Sequence, residues 1–251
     1  MTGRAWDAET YDRISDVQAA WAERVLDRLP LRGDETVLDA GCGSGRVTAM
    51  LLERLPDGHV IGIDSSHTMI EHARAALGDR ATVLVGDLTD FELDRPVDVV
   101  FSNAVFHWIR DQHALARALH AALRPGGRLV AQCGGEGNIE SFLALVDEVA
   151  GAEPFAPHLA GFERTWCFPG PAETEERLRS AGFDPGRAWL EPSNVTPAEP
   201  AVFLRTVVLA VHLERLPGDL HDRFVDEVLA RAGEPLELDY VRLNIDAVRP
   251  A

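Results

Sequence analysis

Thr36-Val37-Leu38-Asp39-Ala40-Gly41-Cys42-Gly43-Ser44-Gly45 runs from a short apolar stretch into three glycines at alternating positions, and Val47, Met50, Leu51, Leu52 and Leu55 then recur at helical spacing. The pattern predicts strand, tight turn and helix. Glycine suits such a turn because the backbone takes angles that a Cβ disfavours and because a ligand must approach the main chain closely. The helix behind it directs free N–H groups at that ligand, so the stretch predicts a nucleotide-binding turn. A dinucleotide fingerprint has glycine at its first, third and sixth positions. Counted from Gly41 the sixth residue is Arg46, which argues against a pyrophosphate and so against a nicotinamide oxidoreductase. Asp39 sets a carboxylate before the glycines, where it suits a cationic amino group or a sulfonium.

On this motif the chain resembles the class I S-adenosylmethionine-dependent methyltransferases, whose first motif reads much like Leu38 to Gly45. The likeness continues from Val37 to Cys133 and becomes patchy beyond. It implies an α/β fold: a Rossmann-like seven-stranded sheet, mostly parallel with the last strand antiparallel, helices on both faces, and an N-terminal helix and helical inserts over the active site. It also implies S-adenosyl-L-methionine as cofactor and a small-molecule acceptor. On that reading Asp39, Gly41, Cys42, Gly43 and Gly45 bind the cofactor.

The rest of the core follows in order. His59 to Ser66 reads as a second strand ending in Asp64, 19 residues beyond Gly45, where nucleotide-binding units present an acid to ribose hydroxyls. Ser65 stands beside it. An N-cap role for Asp64 is the alternative, although Ser65 or Ser66 can cap the helix from Thr68 to Leu77 equally well. The resemblance places Met69 against the adenine. A third strand, Ala81 to Val85, leads to Gly86-Asp87-Leu88, a turn that in the family meets the adenine edge, with Asp87 accepting from the exocyclic amine. The fourth strand, Val97 to Phe101, delivers Asn103, Phe106, His107 and Trp108 to the strand ends that face the ligand crevice. By resemblance Asn103 approaches the methionine part of the cofactor. His107 is either a general base, given its ordinary pKa near working pH, or one wall of the pocket. A helix from His113 to Leu123 stops at Arg124-Pro125-Gly126-Gly127, and the strand Arg128 to Cys133 follows.

Residues Trp6 to Leu29 have helical apolar spacing, with Trp6 and Trp21 as core anchors. Tyr11 and Gln18, seven apart, share a face that can close the site. The opening and Trp108 resemble small-molecule enzymes of the trans-aconitate methyltransferase and juvenile hormone acid methyltransferase kind. That likeness makes Tyr11, Gln18, Phe106 and Trp108 acceptor-binding candidates and implies O-methylation of a carboxylic acid. A polycarboxylate calls for several arginines, for which Arg13, Arg46 and Arg164 are candidates. The aromatic residues of the variable segments, Phe142, Phe155, Phe162, Trp166 and Phe168, argue instead for a hydrophobic or aromatic acceptor. Ile139 to Val149, Glu173 to Ala181 and much of Pro197 to Ala232 read as helices, Arg187 to Glu191 as a strand, and Leu236 to Val248 as the last, antiparallel strand.

The 251 residues make a single domain, with residues 37–133 as cofactor-binding core and 1–30, 134–170 and 197–232 as helical cap segments. Net charge is −17 and every one of the 24 basic residues is arginine, which excludes lysine Schiff-base chemistry and speaks against nucleic acid and anionic membranes as partners. Three widely spaced cysteines, Cys42, Cys133 and Cys167, form no metal-ligand pattern, so no metal is expected. The absence of a charged-then-apolar leader and of a 20-residue apolar run predicts a reduced, cytoplasmic protein, monomer or homodimer. An S-adenosylmethionine-binding protein without turnover keeps the same motif and stays open.

Overall fold

The computed structural model describes residues 16–251, with side chains from Gln18 onward. Seven strands form one sheet: β1 (Thr36–Ala40), β2 (His59–Asp64), β3 (Thr82–Val85), β4 (Val97–Asn103), β5 (Leu123–Gly134), β6 (Gly186–Pro192) and β7 (Val241–Val248). Their order is β3-β2-β1-β4-β5-β7-β6, and β7 alone runs antiparallel to its neighbours. The five strands from β3 to β5 are parallel, with their C-terminal ends on one edge. Central strands of such a sheet are buried on both faces, and β1 and β4 are buried along most of their length, with Val37, Leu38, Ala40, Val97, Val99, Val100 and Phe101 as their apolar residues.

Helix α1 (Asp16–Asp27) and α2 (Arg46–Glu53) cover one face through Ala22, Val25, Leu26, Leu29 and Leu51 against Val37, Val99 and Phe101. Helix α3 (His67–Leu77) packs Ile70, Ala73 and Leu77 on Val83 and Cys42. On the other face α4 (Gln112–Ala122) and a later helix, Pro171–Ala181, bury Leu115, Leu119 and Leu178 with Phe183 against Val100, Leu129 and Ile245.

Above the sheet edge stands a helical cap. The segment after β5 gives α5 (Glu140–Ala150) and the short α6 (Ala156–Leu159); with Pro171–Ala181 taken as α7, the segment after β6 gives α8 (Pro200–Phe203), α9 (Ala210–Leu213) and α10 (His221–Ala232). A π-helical stretch, Leu204–Val208, joins α8 to α9, so the long apolar run expected as one helical insert is broken. Phe142, Leu143, Val146 and Phe155 from the first segment share one core with Phe203, Leu209, Phe224 and Val228 from the second, and Trp21 of α1 completes it. Two pieces remote in sequence thus fold as one cap.

The helix stops close to where it is expected, at Ala122, but Arg124 to Gly127 lie inside the strand that follows. β5 pairs with β4 through Leu123, loses register across these four residues and resumes at Arg128 opposite Val99. Gly126 takes φ of 75°, and Arg124 Nε binds Asp98 Oδ1 at 2.6 Å, so the turn signal produces a bulge rather than an end.

Candidate active site

The glycine turn between β1 and α2 is anchored from below, with Gly41 N–H and Cys42 N–H both donating to the Ile63 carbonyl at the end of β2 (2.8 and 3.1 Å). Gly41, Gly43 and Gly45 all have positive φ, at 86°, 54° and 89°. A side chain at Gly41 would overlap Val105 Cγ2, and one at Gly45 would stand 2.9 Å from Leu77 Cδ1. At Gly43 it would meet nothing within 4 Å, so the turn leaves open space over its middle glycine.

Around that space lies a pocket lined by Gln18, Asp39, Gly41, Cys42, Gly43, Arg46, Asn103 and Ala104. Asp39, buried, accepts from Thr48 Oγ1 at 2.7 Å. Burial, with the neighbouring charge of Asp64 adding to it and the Thr48 bond opposing it, raises the Asp39 carboxyl to about 7. Asn103 donates through Nδ2 to the Gln18 carbonyl at 3.0 Å, tying α1 to the end of β4. The side-chain oxygens Gln18 Oε1 and Asn103 Oδ1 are buried without a hydrogen-bond partner among the described residues. Three oxygen acceptors, two of them unsatisfied, fit a ligand that brings N–H donors and positive charge. The sulfonium and α-ammonium of S-adenosylmethionine meet that description. Ala104 follows in the left-handed region (φ 62°), its N–H held by the Gln132 carbonyl at 2.7 Å, and this bend turns the next residues over the crevice.

Asp64 sits at the C-terminal end of β2, accepting from Gly43 N–H (3.0 Å) and Ser66 N–H (2.9 Å) while burial raises its pKa. Ser66 is the cap of α3, its Oγ accepting from Met69 N–H, so Asp64 is not the cap. Ser65 is exposed, and Met69 is buried at the helix start. Asp87 is exposed and folds back on its own turn, taking Thr89 N–H at 2.9 Å and Thr89 Oγ1 at 2.7 Å, which lower its pKa. Leu88 is core beside Leu38 and Ile63, and Gly86 donates its N–H to the Asp64 carbonyl. None of Ser65, Met69, Gly86, Asp87 or Leu88 lines the pocket at the glycine turn.

The segment after Ala104 is a single 3₁₀ turn, Phe106–Trp108. Three residues per turn send successive side chains in three directions. Phe106 goes down into the core with Leu115 and Leu119, which corrects its expected place against the acceptor. His107 and Trp108 stay partly exposed. Trp108 meets Trp166 edge-on at 5.7 Å, and His107 lies 5.1 Å from Trp108 and 5.9 Å from Phe168, so the cap lowers an aromatic wall onto the strand ends. Gly134 N–H donates to His107 Nδ1 at 3.2 Å. Burial and the nearby Arg242 charge push the His107 pKa down to about 3. A ring in that state is neutral at pH 7 and its one unshared pair is engaged, which does not suit a general base.

Gln18, expected at the acceptor, lines the glycine-turn pocket instead, and Tyr11 and Arg13 lie outside the described residues. Arg164 is occupied by Asp147 and the Leu143 carbonyl within the cap. The residue that the sequence did not single out is Arg242: buried on β7, with its guanidinium 4.0 Å over Trp21 and its Nε 3.3 Å from Gln132 Oε1. Gln132 in turn donates to Asn244 Oδ1 at 2.8 Å, which also takes Arg28. An arginine between Val241 and Leu243 in a strand expected to be buried was the available signal.

Residues 37–127 match the family described as a methyltransferase domain. The chain is 39% identical over 156 residues to trans-aconitate 2-methyltransferase of Azoarcus sp. (strain BH72), covering 62% of the chain and 60% of that relative. Against trans-aconitate 2-methyltransferase of Methylobacterium nodulans the identity is 33% over 192 residues, 76% of the chain and 69% of the relative. Among solved structures, YcgJ from Bacillus subtilis superimposes with a TM-score of 0.65 at 13% identity, over 93% of this chain and 99% of that one, a likeness of fold.

Proposed function

Because the chain belongs to the class I S-adenosylmethionine-dependent methyltransferases of small molecules, with S-adenosyl-L-methionine as cofactor, we propose that it moves the methyl group onto a carboxylate oxygen of a small organic acid. The observation that carries the donor half is the meeting of Asp39, Gln18 Oε1 and Asn103 Oδ1 at the glycine turn. These oxygens receive the ammonium of the donor's amino-acid end, and Arg46, on the same pocket, faces its carboxylate. Asp64, held by Gly43 and Ser66, keeps a second lone pair on each oxygen for the ribose hydroxyls. Gly43 keeps a side chain out of the way of the donor, and Gly41 leaves room for Val105.

The bound sulfonium supplies an already activated methyl, and displacement needs only a nucleophile in line with it. The chain's task is therefore orientation and the exclusion of water, to which proximity contributes up to ~7–11 kcal/mol in favourable cases. The aromatic wall of Trp108, Trp166 and Phe168 excludes water and accommodates an unsaturated or apolar carbon skeleton. A carboxylate needs no base, being ionised at pH 7, which agrees with a His107 unsuited to that task, and two relatives are named as methyltransferases of an organic acid, trans-aconitate.

The test is transfer of labelled methyl from S-adenosylmethionine to a panel containing trans-aconitate, fatty and terpenoid acids, phenols and amines. A base-labile methyl ester from an acid is the expected product. Transfer confined to phenols, amines or carbon refutes the carboxylate reading, and donor binding without transfer to any acceptor refutes turnover.

A further inference from the structure

The geometry points to His107 as a fixed, neutral Nε2–H donor to one oxygen of the acceptor carboxylate, so that the enzyme accepts only nucleophiles that arrive already ionised. The inference rests on the carboxylate reading and adds to it a specificity-determining residue and the reason that phenols and amines are refused.

The tautomer follows from one contact. A backbone N–H donates only to a lone pair, and Gly134 N–H reaches Nδ1 at 3.2 Å, so Nδ1 carries no proton and the neutral ring carries it on Nε2. Gly134 is the last residue of β5, paired with Arg242 on β7, which fixes the amide in place. Trp108 and Phe168 flank the ring at 5.1 and 5.9 Å. Nε2 has no hydrogen-bond partner among the described residues, and the side chain is only partly buried. Its Nε2–H is thus a donor with no partner among the described residues.

The surroundings keep it neutral. The described charged group that acts on the ring is Arg242 from β7, while Cys133 from β5 meets the His107 backbone. Arg242 opposes a second positive charge, and the Cys133 thiol is pushed up to about 12 by burial, so it brings no negative charge. From the segment ahead of α7, Cys167 meets His107 only through its backbone N–H, donated to the His107 carbonyl at 2.8 Å, and turns its thiol to the Ile109 carbonyl. No described carboxylate raises the ring's affinity for a proton. With a pKa of about 3 it cannot deprotonate a phenol of pKa ~10 or an ammonium of similar pKa.

A carboxylate has what this site lacks a means to generate. Nε2–H holds one oxygen, and the other directs an electron pair at the methyl carbon. The new O–C bond forms as the C–S bond breaks, its pair returns to sulfur, the sulfonium becomes a neutral thioether, and no proton changes place.

Two variants and one spectrum test this. His107→Phe keeps the ring stack and removes the donor; His107→Gln keeps an N–H donor and removes the titratable nitrogen. We expect His107→Phe to raise the acceptor KM about 10- to 100-fold, the range of a hydrogen bond to a charged group, with unchanged affinity for S-adenosylhomocysteine. His107→Gln should stay within about tenfold of the parent in kcat/KM and keep the parent's pH profile. In nitrogen-15 histidine spectra of the whole protein, the resonance missing from His107→Gln should report the Nε2–H tautomer without change from pH 5.5 to 8. A His107 signal that titrates in that range, or an acid limb present in the parent and absent from His107→Gln, overturns the inference while acids are still methylated. If the parent methylates no acid, the carboxylate reading fails first and this inference with it.

Discussion

Proton uptake at Asp39 should make donor binding pH-dependent. The carboxylate is sealed from water, has Thr48 as its one described hydrogen-bond partner and feels the charge of Asp64, which together leave its pKa near 7 in the free protein. A cationic ammonium pairs with the ionised form only. At pH 8 about nine molecules in ten are ionised, at pH 6 about one in ten, so donor affinity should fall about tenfold (~1.4 kcal/mol) between them and about tenfold more (another ~1.4 kcal/mol) by pH 5. The sign follows from the raised pKa: the free site holds a proton below pH 7, binding expels it, and affinity climbs through pH 7 toward a plateau. Above pH ~8 the donor's own α-amino group loses its proton and affinity turns down. Titration calorimetry with S-adenosylhomocysteine in two buffers of different ionisation heat gives both affinity and protons released. About half a proton per binding event is expected at pH 7. Asp39→Asn should weaken binding about 10- to 150-fold at pH 8, remove the proton release and leave affinity flat between pH 5.5 and 7.5. An unchanged parent affinity across that range, or a variant that still releases the proton, refutes the assignment. The same raised pKa lowers the stability of the unliganded fold as pH rises from about 4 to 7, so Asp39→Asn should also melt higher than the parent at pH 7.

Gly41→Ala and Gly43→Ala should differ in kind: the first overlaps Val105 and should cost ~3 kcal/mol or more in denaturant unfolding, since a left-handed alanine alone costs ~1–2. The second has room and should cost only that backbone strain while abolishing measurable donor binding; equal unfolding midpoints for the two would contradict the packing described. His212 is fully buried with both ring nitrogens unpartnered among Phe162, Trp166 and Phe224, so His212→Leu should raise the melting temperature by a few degrees, equivalent to ~1 kcal/mol; a lower one would show that the imidazole has a bridging partner. Glu35 is buried yet takes three backbone hydrogen bonds from Arg32 and Gly33, which hold its pKa below 4.5; its stabilisation is present above that value and lost as pH falls through the lower folded pKa, and Glu35→Gln should flatten the acid limb of a stability curve between pH 3 and 5.

Where the chain's local chemistry decides its backbone, the sequence was readable. Three glycines with positive φ between an apolar strand and a helix admit little else, and Asp39, Gly43, Asp64 and Asn103 follow from that frame. The seven-stranded sheet with its antiparallel last strand is what the resemblance to the methyltransferase family implies, and it is the sheet observed. What escaped were features decided by tertiary neighbours. Asp87 is expected at the adenine edge, and nothing in the sequence signalled that one of its carboxylate oxygens would also hold Thr89 two residues on. Phe106 and His107 are adjacent, and only the pitch of the 3₁₀ turn sends one to the core and the other to the crevice. Arg124 to Gly127 carry every mark of a turn, and a partner strand on either side absorbs them as a bulge. Arg242 acts through Trp21, Gln132 and Gly134, residues 108 or more positions away.

The cap has a consequence for how such enzymes diversify. Its core is assembled from residues before β6 and after it, interleaved with Trp21, so the cap proposed to enclose the acceptor is discontinuous in the gene. Exchange of one insert alone between homologues leaves half of a hydrophobic core facing a stranger, and the chimera loses its cap before it gains a new substrate. New acceptors in this lineage should therefore arise by coordinated point changes at Trp108, Trp166 and Phe168, or by inheriting both inserts together, and a recombination library built on crossovers within β6 should be depleted of folded members.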